Sequence, residues 1–239
     1  NDWNVIMDRL GMDTISAGGS IAFAMELTER GMLQSDLQFG KIDNIEKTLN
    51  DIAYRRGLGN DLADGVMRLS EKYGGAEFAM HAKGMEFAAY EPRGAVGQGL
   101  GYATANRGGC HLNAGYVIYF EVIGHVSINP LTHWGKAGYA IFQQNAMEAI
   151  SASGSCIFTS YAVLPGLINS LNPQTEFFRI LSKTLELSGP LMGWLFRIPK
   201  SLIAFHLPMI HHSKAIAHAS GQKMDAGRFL AAGARAYNL

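Results

Sequence analysis

Two carboxylates flank a turn glycine in the segment Asp8-Arg9-Leu10-Gly11-Met12-Asp13. A carboxylate on a tight loop can accept paired N–H bonds, as it does from an arginine fork or from the aminopyrimidinone edge of a heterocycle. The backbone amide of Met12 is close by in the chain. Asp13 or Thr14 would equally serve as the N-cap of a following helix. Residue chemistry alone therefore leaves two interpretations, a helix start and a binding loop.

A second group of chemically capable residues lies in a glycine-rich stretch that ends at His111. Its glycines allow the backbone to approach a bulky ligand closely. Arg107 and neighbouring backbone amides have the donors to hold a phosphate. The imidazole of His111 is suited to general acid or base catalysis near neutral pH. The alternative is a structural crossover in which His and Arg bind backbone carbonyls, and each residue taken singly favours that alternative.

Several familiar motifs are incomplete in this sequence. The glycine run has no third glycine in the register of a dinucleotide-binding loop, and there is no Walker motif. Ser153-Gly154-Ser155 lacks the flanking glycines of a nucleophile elbow. His206, His211 and His212 have no partner at metal-ligand spacing, so we expect them to be surface or interface histidines.

Composition limits the class of protein. With 239 residues, 48% of them hydrophobic, the chain can bury a full core as one large domain or two small ones. Lys plus Arg and Asp plus Glu number 20 each, and this balance argues against a nucleic-acid platform. Only 17% of residues are charged and 28 are glycine, which predicts that another domain, a subunit or a large cofactor covers part of the surface.

Cysteine usage and targeting signals give further limits. Cys110 and Cys156 are too few for a disulfide scaffold or for a complete four-cysteine site, and they indicate reduced thiols in a cytoplasmic protein. The apolar stretch from Pro190 to Ile210 contains two charges and two internal prolines, so we predict no membrane span. The sequence opens at Asn1 without a signal peptide or a methionine, and we expect it to be part of a longer protein.

Helical periodicity dominates the elements that must position these residues. Apolar spacing predicts helices over residues 15–30, 44–56, 61–73, 134–150, 175–187 and 225–236, with Gly31 as a C-cap. Only residues 115–126 have the character of a strand. Residues 83–111 and 151–156 are predicted to be irregular. The sequence therefore predicts a mainly α fold.

Taken together, the segments resemble the tungsten-containing aldehyde:ferredoxin oxidoreductase family. The pterin-binding motif of the family reads D-x-x-G-L-(C/D), and residues 8–13 match it with Met12 in the leucine position. The segments 81–86, 90–94 and 103–111 also resemble the family, in the same order. The resemblance covers residues 1 to about 160, fades, and returns from about Gly221 to a last helix that ends at Leu239.

The second pterin motif of the family corresponds to Ser151-Ala152-Ser153-Gly154-Ser155-Cys156. Gly154 and Cys156 match it. Ser151 stands where an aspartate is usual and Ser155 where a leucine is usual. A serine cannot offer a charged, bidentate edge, so we expect one pterin to be held more weakly or differently. Cys156 takes the position of the fourth cluster ligand of the family.

The resemblance implies a fold and a cofactor set. Residues 1–239 would form the helical C-terminal, cofactor-binding region of the aldehyde:ferredoxin oxidoreductase fold, with the motifs in 1–160 and further helices in 161–239. An N-terminal β domain, absent from this chain, would supply three more cluster cysteines. The cofactors implied are a tungsten or molybdenum bis-pterin and a [4Fe-4S] cluster. The cofactor-binding residues implied are Asp8, Met12, Asp13, Arg107, Gly108, Ser151, Ser155 and Cys156, of which Cys156 also binds the metal cluster, while His111 would be the catalytic residue and transfer a proton.

The reaction implied is the oxidation of an aldehyde to a carboxylic acid, with electrons passing through the cluster to ferredoxin or a similar carrier. The enzyme would be a homo- or hetero-oligomer in the cytoplasm. One alternative keeps the cofactor and changes the substrate, for example to an aromatic acyl thioester. Another is a non-catalytic helical scaffold, which predicts that no metal is bound.

Overall fold

The structure of the chain, a computed structural model, describes residues 2–159, 171–172, 174–196 and 210–239. The predicted mainly α fold is confirmed. The helices are α1 Asp2–Arg9, α2 Thr14–Glu29, α3 Ile45–Ala53, α4 Leu58–Leu62, α5 Gly65–Tyr73, α6 Val96–Thr104, α7 Lys136–Ala152, α8 Glu176–Phe196, α9 His211–Ser220 and α10 Ala226–Tyr237. A 3-10 turn spans Ala76–Phe78, a π-helix spans Tyr119–Ile123, and strands β1 His81–Ala82 and β2 Met85–Glu86 form an antiparallel hairpin.

The chain folds into two compact units. The first comprises Asn1–Ala89 with Arg107–Cys110, and the second comprises Tyr90–Asn106 with His111–Leu239. Helix α2 is central to the first unit and packs with α5 and β2. The Asp13 carboxylate caps it by accepting a hydrogen bond from the Ser16 amide at 2.7 Å. Gly31 follows the helix with φ +72°, as the sequence predicts.

A buried carboxylate explains a difference between prediction and structure in the first unit. The predicted helix over 61–73 is in fact two helices, α4 and α5, which break before Gly65. Glu86 is 5% exposed, and its Oε1 accepts the Val66 amide at 2.7 Å in the first turn of α5. Its Oε2 accepts the Ser16 hydroxyl at 2.8 Å. An anion at this point requires a free helix N-terminus, and the φ of +84° at Gly65 lets the chain turn there.

In the second unit α7 packs against α6, α8 and α10. The helices predicted over 134–150 and 225–236 are confirmed as α7 and α10. The helix predicted over 175–187 continues as α8 to Phe196, although Pro190 lies within it. Among the described residues, no helix is both long enough and apolar enough to cross a bilayer.

The strand predicted over 115–126 is wrong. Gly115 and Tyr116 have φ of +92° and +51°, which ends any extended backbone, and a π-helix follows. The apolar run is instead a buried core segment, in which Val117 is fully buried. A short apolar run of this kind does not distinguish a strand from a buried turn or helix.

Helix α6 lies inside the stretch that was predicted to be irregular. Glycine lowers helix propensity, yet here each glycine lies against a close neighbour. A Cβ at Gly101 would overlap the Ala114 carbonyl, and a Cβ at Gly97 would lie 2.7 Å from a carboxylate oxygen of Glu121. Close packing therefore overrides propensity in this helix.

Candidate functional site

The predicted loop of residues 8–13 forms the C-terminal end of α1, in the first unit. The Gly11 amide donates to the Asp8 carbonyl at 3.1 Å, and the Met12 amide donates to the Met7 carbonyl at 2.9 Å. These two bonds define a Schellman motif, with Gly11 in the left-handed region at φ +68°. No atom lies within 4 Å of the place where a Gly11 Cβ would be, so the backbone is open to an approaching group.

The side chains of this loop divide between two roles. Asp13 caps α2 through Oδ2, which confirms the helix-start interpretation for that residue. Met12 is half-buried and packs against the core of the first unit. The Asp8 carboxylate is exposed to solvent. The Ser16 hydroxyl donates to the buried Glu86, and this bond anchors the start of α2, which follows the loop.

Arg107 and Gly108 lie in the same unit, beside the β1–β2 hairpin. The Gly109 amide donates to the Ala82 carbonyl at 3.1 Å. Gly108 is buried with φ +87°, and a Cβ there would overlap the same carbonyl. The close packing of the chain on the hairpin is therefore sufficient reason for glycine at this position. The Arg107 side chain is exposed.

The second predicted loop, residues 151–156, forms the C-terminal end of α7 in the second unit. The Gly154 amide donates to the Ser151 carbonyl at 3.0 Å, and the Ser155 amide donates to the Ile150 carbonyl at 3.2 Å. This is again a Schellman motif, and Gly154 has φ +77° with no atom within 4 Å of its missing Cβ. Ser151 and Cys156 are exposed. The Ser155 hydroxyl accepts from the Ser153 hydroxyl at 3.1 Å.

A buried histidine is linked to the Cys156 loop. The Thr159 hydroxyl donates to the Cys156 carbonyl at 2.6 Å and lies 2.7 Å from His212 Nε2. His212 is 8% exposed, so the prediction of a surface histidine is wrong for this residue, whereas His211 is exposed. Burial, and to a smaller extent the charge of His211, holds the pKa of His212 below its usual value. His206 lies outside the described residues.

His111 lies in an aromatic cluster of the second unit. Its ring centroid is 5.5 Å from that of Tyr90 and 5.8 Å from that of Tyr116. The two phenol oxygens are 3.1 Å apart and hydrogen-bonded. Ile157, the residue after Cys156, packs against the same apolar cluster as Tyr90 and Tyr116. The fold therefore brings the surroundings of His111 and of Cys156 together within this unit.

Sequence reasoning missed part of this arrangement. Tyr90 belongs to a segment that the resemblance singled out, so its place beside His111 could have been proposed. Tyr116 lies in the segment predicted as a strand, and no local signal marks a tyrosine with positive φ. His212 follows another histidine in a polar segment and carries no sign of burial. The roles of Tyr116 and His212 depend on tertiary packing.

The metal-binding potential of the described residues is limited. No group of three or more His, Cys, Asp or Glu side chains in the described ranges is arranged to hold a metal ion. The sequence contains two cysteines, and Cys110 is in the first unit while Cys156 is in the second. A cluster bound by Cys156 would need further ligands from outside these 239 residues. An exposed thiol beside an open glycine backbone is compatible with such a shared site.

Comparison with known proteins identifies one family. Residues 2–239 match the family model described as "Aldehyde ferredoxin oxidoreductase, domains 2 & 3". A tungsten-containing aldehyde ferredoxin oxidoreductase from Pyrococcus horikoshii is 42% identical over 171 residues, which is 67% of this chain and 28% of that protein. Its counterpart from Thermococcus kodakarensis is 42% identical over 165 residues, covering 65% of this chain and 27% of that protein.

A more distant relative has a different name. The WOR-like subunit of an aliphatic sulfonate oxidoreductase from Pyrococcus furiosus is 30% identical over 119 residues, or 44% of this chain and 19% of that protein. The segments aligned with the first two relatives span a little over a quarter of the length of those proteins.

Proposed function

The chain belongs to the aldehyde ferredoxin oxidoreductase family, and from this premise we propose that the protein containing it oxidises an aldehyde with a tungsten-pterin cofactor. An aldehyde and water become a carboxylic acid, and two electrons and two protons are released. A [4Fe-4S] cluster would receive these electrons and pass them to ferredoxin or a similar carrier.

One observation carries the proposal. The two segments that resemble pterin motifs end different helices with the same pair of hydrogen bonds, and each leaves the space above its glycine open. A flat heterocycle can lie against such a backbone without meeting a side chain. The exposed Asp8 carboxylate is able to accept two N–H bonds from a pterin edge. In the other loop the exposed Ser151 hydroxyl offers a single, uncharged partner.

When bound, the tungsten-pterin group and the cluster supply the redox chemistry. The residues of the chain would orient these groups and handle protons. Cys156 would bind cluster iron as a thiolate, while the Gly154 backbone approaches the second pterin. His111 would hold or accept the proton released as water adds to the aldehyde. Its contacts with Tyr90 and Tyr116 limit the orientations open to the imidazole ring. Arg107 and Gly108 would contact the cofactor. Asp13, which caps α2, would hold in place the loop that binds the first pterin.

Large apolar side chains exposed on α8 indicate that another part of the protein packs against this helix. Phe177, Ile180, Leu187, Leu191 and Trp194 are each more than half exposed. Surfaces of this kind are usually covered by further protein. We assign this cover to the part of the protein that lies outside these 239 residues, as its own N-terminal domain, within a cytoplasmic oligomer.

A second function differs in substrate. The relative named as an aliphatic sulfonate oxidoreductase, together with Ser151 and Ser155 in place of the usual residues, favours a test of substrates other than aldehydes. Aromatic acyl thioesters belong in the same test.

Elemental analysis of the full-length protein, purified anaerobically, tests the cofactor proposal. We expect tungsten or molybdenum together with iron. A folded, correctly expressed protein that contains no tungsten, no molybdenum and no iron would favour the scaffold alternative. Turnover of aldehydes and sulfonates measured with an oxidised dye as electron acceptor, and of aromatic acyl thioesters measured with a reduced dye as electron donor, would then separate the two substrate proposals.

A further inference from the structure

We propose that His212 is a positioning residue for the loop that carries Cys156, and that it acts through the Thr159 hydroxyl. The inference deepens the proposed function, because it rests on Cys156 binding the cluster. It assigns a role to a buried side chain that the proposed reaction does not otherwise use.

The hydrogen-bond geometry determines the tautomer of His212. The Thr159 hydroxyl has one hydrogen, and the Cys156 carbonyl, 2.6 Å away, can only accept. That hydrogen is therefore committed to the carbonyl. The contact of 2.7 Å between Thr159 Oγ1 and His212 Nε2 then requires the imidazole to donate. His212 therefore carries a hydrogen on Nε2, and this is its only ring hydrogen in the neutral form, which the pKa lowered by burial favours.

The other ring nitrogen indicates the cost of this arrangement. His212 Nδ1 is buried and has no hydrogen-bond partner among the described residues. A buried acceptor without a partner destabilises the folded chain, and such groups in folded proteins call for an explanation. Positioning of the Thr159 hydroxyl supplies one.

The imidazole is itself held against α10, which packs on the helix that ends at the loop. Its ring stacks on Phe229 with centroids 6.0 Å apart and ring planes at 25°. Phe229 packs in one apolar cluster with Ala149 and Ile150 of α7. His212 therefore has a fixed position relative to the last turn of α7, from which the Cys156 loop departs.

The consequence falls on the backbone of the ligand residue. The Cys156 carbonyl accepts from both the amide and the hydroxyl of Thr159, at 2.9 and 2.6 Å. Because His212 donates to one lone pair of Thr159 Oγ1, it favours the hydroxyl orientation in which the hydrogen points to the Cys156 carbonyl. These bonds therefore hold the Cys156–Ile157 peptide in one orientation. Groups that hydrogen-bond to a metal ligand commonly orient it in this way.

The test uses the full-length, cluster-loaded protein and two matched pairs of variants. His212→Phe keeps the ring but removes the donor, whereas His212→Gln keeps a donor near the Nε2 position. Thr159→Val removes the hydroxyl, whereas Thr159→Ser keeps it. Two signals are followed: the electron paramagnetic resonance spectrum of the reduced cluster, and the rate at which an iron chelator removes cluster iron.

We expect H212F and T159V to alter the g values in the same way and to accelerate iron loss by roughly fivefold, the equivalent of about one hydrogen bond. The double variant should go no further than either single variant, because both remove one shared link. H212Q and T159S should remain close to the unaltered protein.

Unaltered spectra and iron loss in H212F would overturn the role of His212, whatever the result for T159V. Additive effects in the double variant would overturn the shared link. A Cys156→Ser variant separates this inference from the proposed function: a normal cluster signal in C156S would refute the ligand assignment itself. If H212F does not fold, His212→Leu is used in its place, and equal signals in T159V and T159S would still overturn the proposal, because His212 is proposed to act only through that hydroxyl.

Discussion

Gly11 and Gly154 end two different helices with the same two hydrogen bonds, and both have left-handed backbone with open space at the Cβ position. Asp8 and Ser151 therefore occupy the same place in the last turn of their helices. The two loops have the same backbone conformation but differ in the side chain at this position, which is a carboxylate in one loop and a hydroxyl in the other. Comparing the loops therefore measures what the carboxylate contributes to holding a pterin.

Ser151→Asp is expected to strengthen retention of the pterin at the second loop. A hydrogen bond to a charged acceptor is worth about 1.5–3 kcal/mol, so retention should rise by roughly tenfold or more. The same carboxylate lies at a helix C-terminus and should lower the free energy of unfolding by about 0.3–1 kcal/mol. Pterin released per protein after dialysis measures the first effect. Asp8→Ser is the matched control and should reduce retention, and equal retention in all three proteins would contradict the role of the carboxylate.

His111→Phe is expected to depress turnover without loss of tungsten. The phenyl ring preserves the contacts with Tyr90 and Tyr116 but cannot transfer a proton, and such a step typically contributes about 10²–10⁴-fold to the rate. Steady-state turnover and metal content measured on the same preparation check this prediction. Unchanged turnover would remove His111 from the mechanism. A parallel loss of tungsten would instead indicate a structural role.

The buried pair of Glu121 and Lys136 should be sensitive to loss of one partner. Each residue is 1% exposed, and Lys136 Nζ lies 2.5 Å from Glu121 Oε1. Glu121→Gln leaves a buried ammonium facing a neutral amide and should cost about 3–5 kcal/mol. Lys136→Met should cost less, because the Gly97 and Gln98 amides still donate to the carboxylate at 2.7 and 2.9 Å.

Urea unfolding of the single and double variants measures these costs. The double variant should be more stable than the sum of the single effects predicts. Lys47→Met is the control: Lys47 pairs with Asp51 on the surface, and its removal should cost less than about 1 kcal/mol. Similar losses for K47M and E121Q would contradict the importance of burial.

His212 should make the stability of the fold depend on pH. Its pKa in the folded chain lies below the unfolded value of 6.5, chiefly because of burial, so the unfolded chain binds the proton more readily. The neutral imidazole makes its full contribution to the free energy of unfolding above about pH 6.5, and this contribution is lost as the pH falls towards the folded pKa. The loss is at most about 1.4 kcal/mol per pH unit.

The free energy of unfolding at pH 7.5 and pH 5.5 tests this dependence. It should fall more between these values in the unaltered chain than in His212→Phe. His211→Phe changes an exposed neighbour and should retain most of the pH dependence. An identical pH profile in H212F and the unaltered chain would refute the prediction.

Much of the fold could be predicted because the apolar residues of segments such as 44–56 and 225–236 recur at the spacing of one helix face. Helix α6 could not be predicted, because its glycines are explained only by close contacts with residues such as Ala114, which lie outside the helix in the sequence. The break before Gly65 depends on Glu86, 21 residues later. In the candidate site, the sequence marks both loops through their resemblance to the pterin motifs, and the structure shows that each ends a helix at a glycine. The phenol pair and the buried His212 could not, since their partners come from separate segments.

The glycines of α6 also bear on how this part of the protein changes over generations. The Cβ positions of Gly97 and Gly101 are closed by a buried carboxylate and by a backbone carbonyl, neither of which a second substitution can readily move aside. Almost any replacement there would be removed by selection for a folded chain. Inherited variation is therefore expected to accumulate on open polar surfaces, such as the side of α3 on which Lys47 lies, while α6 stays the same.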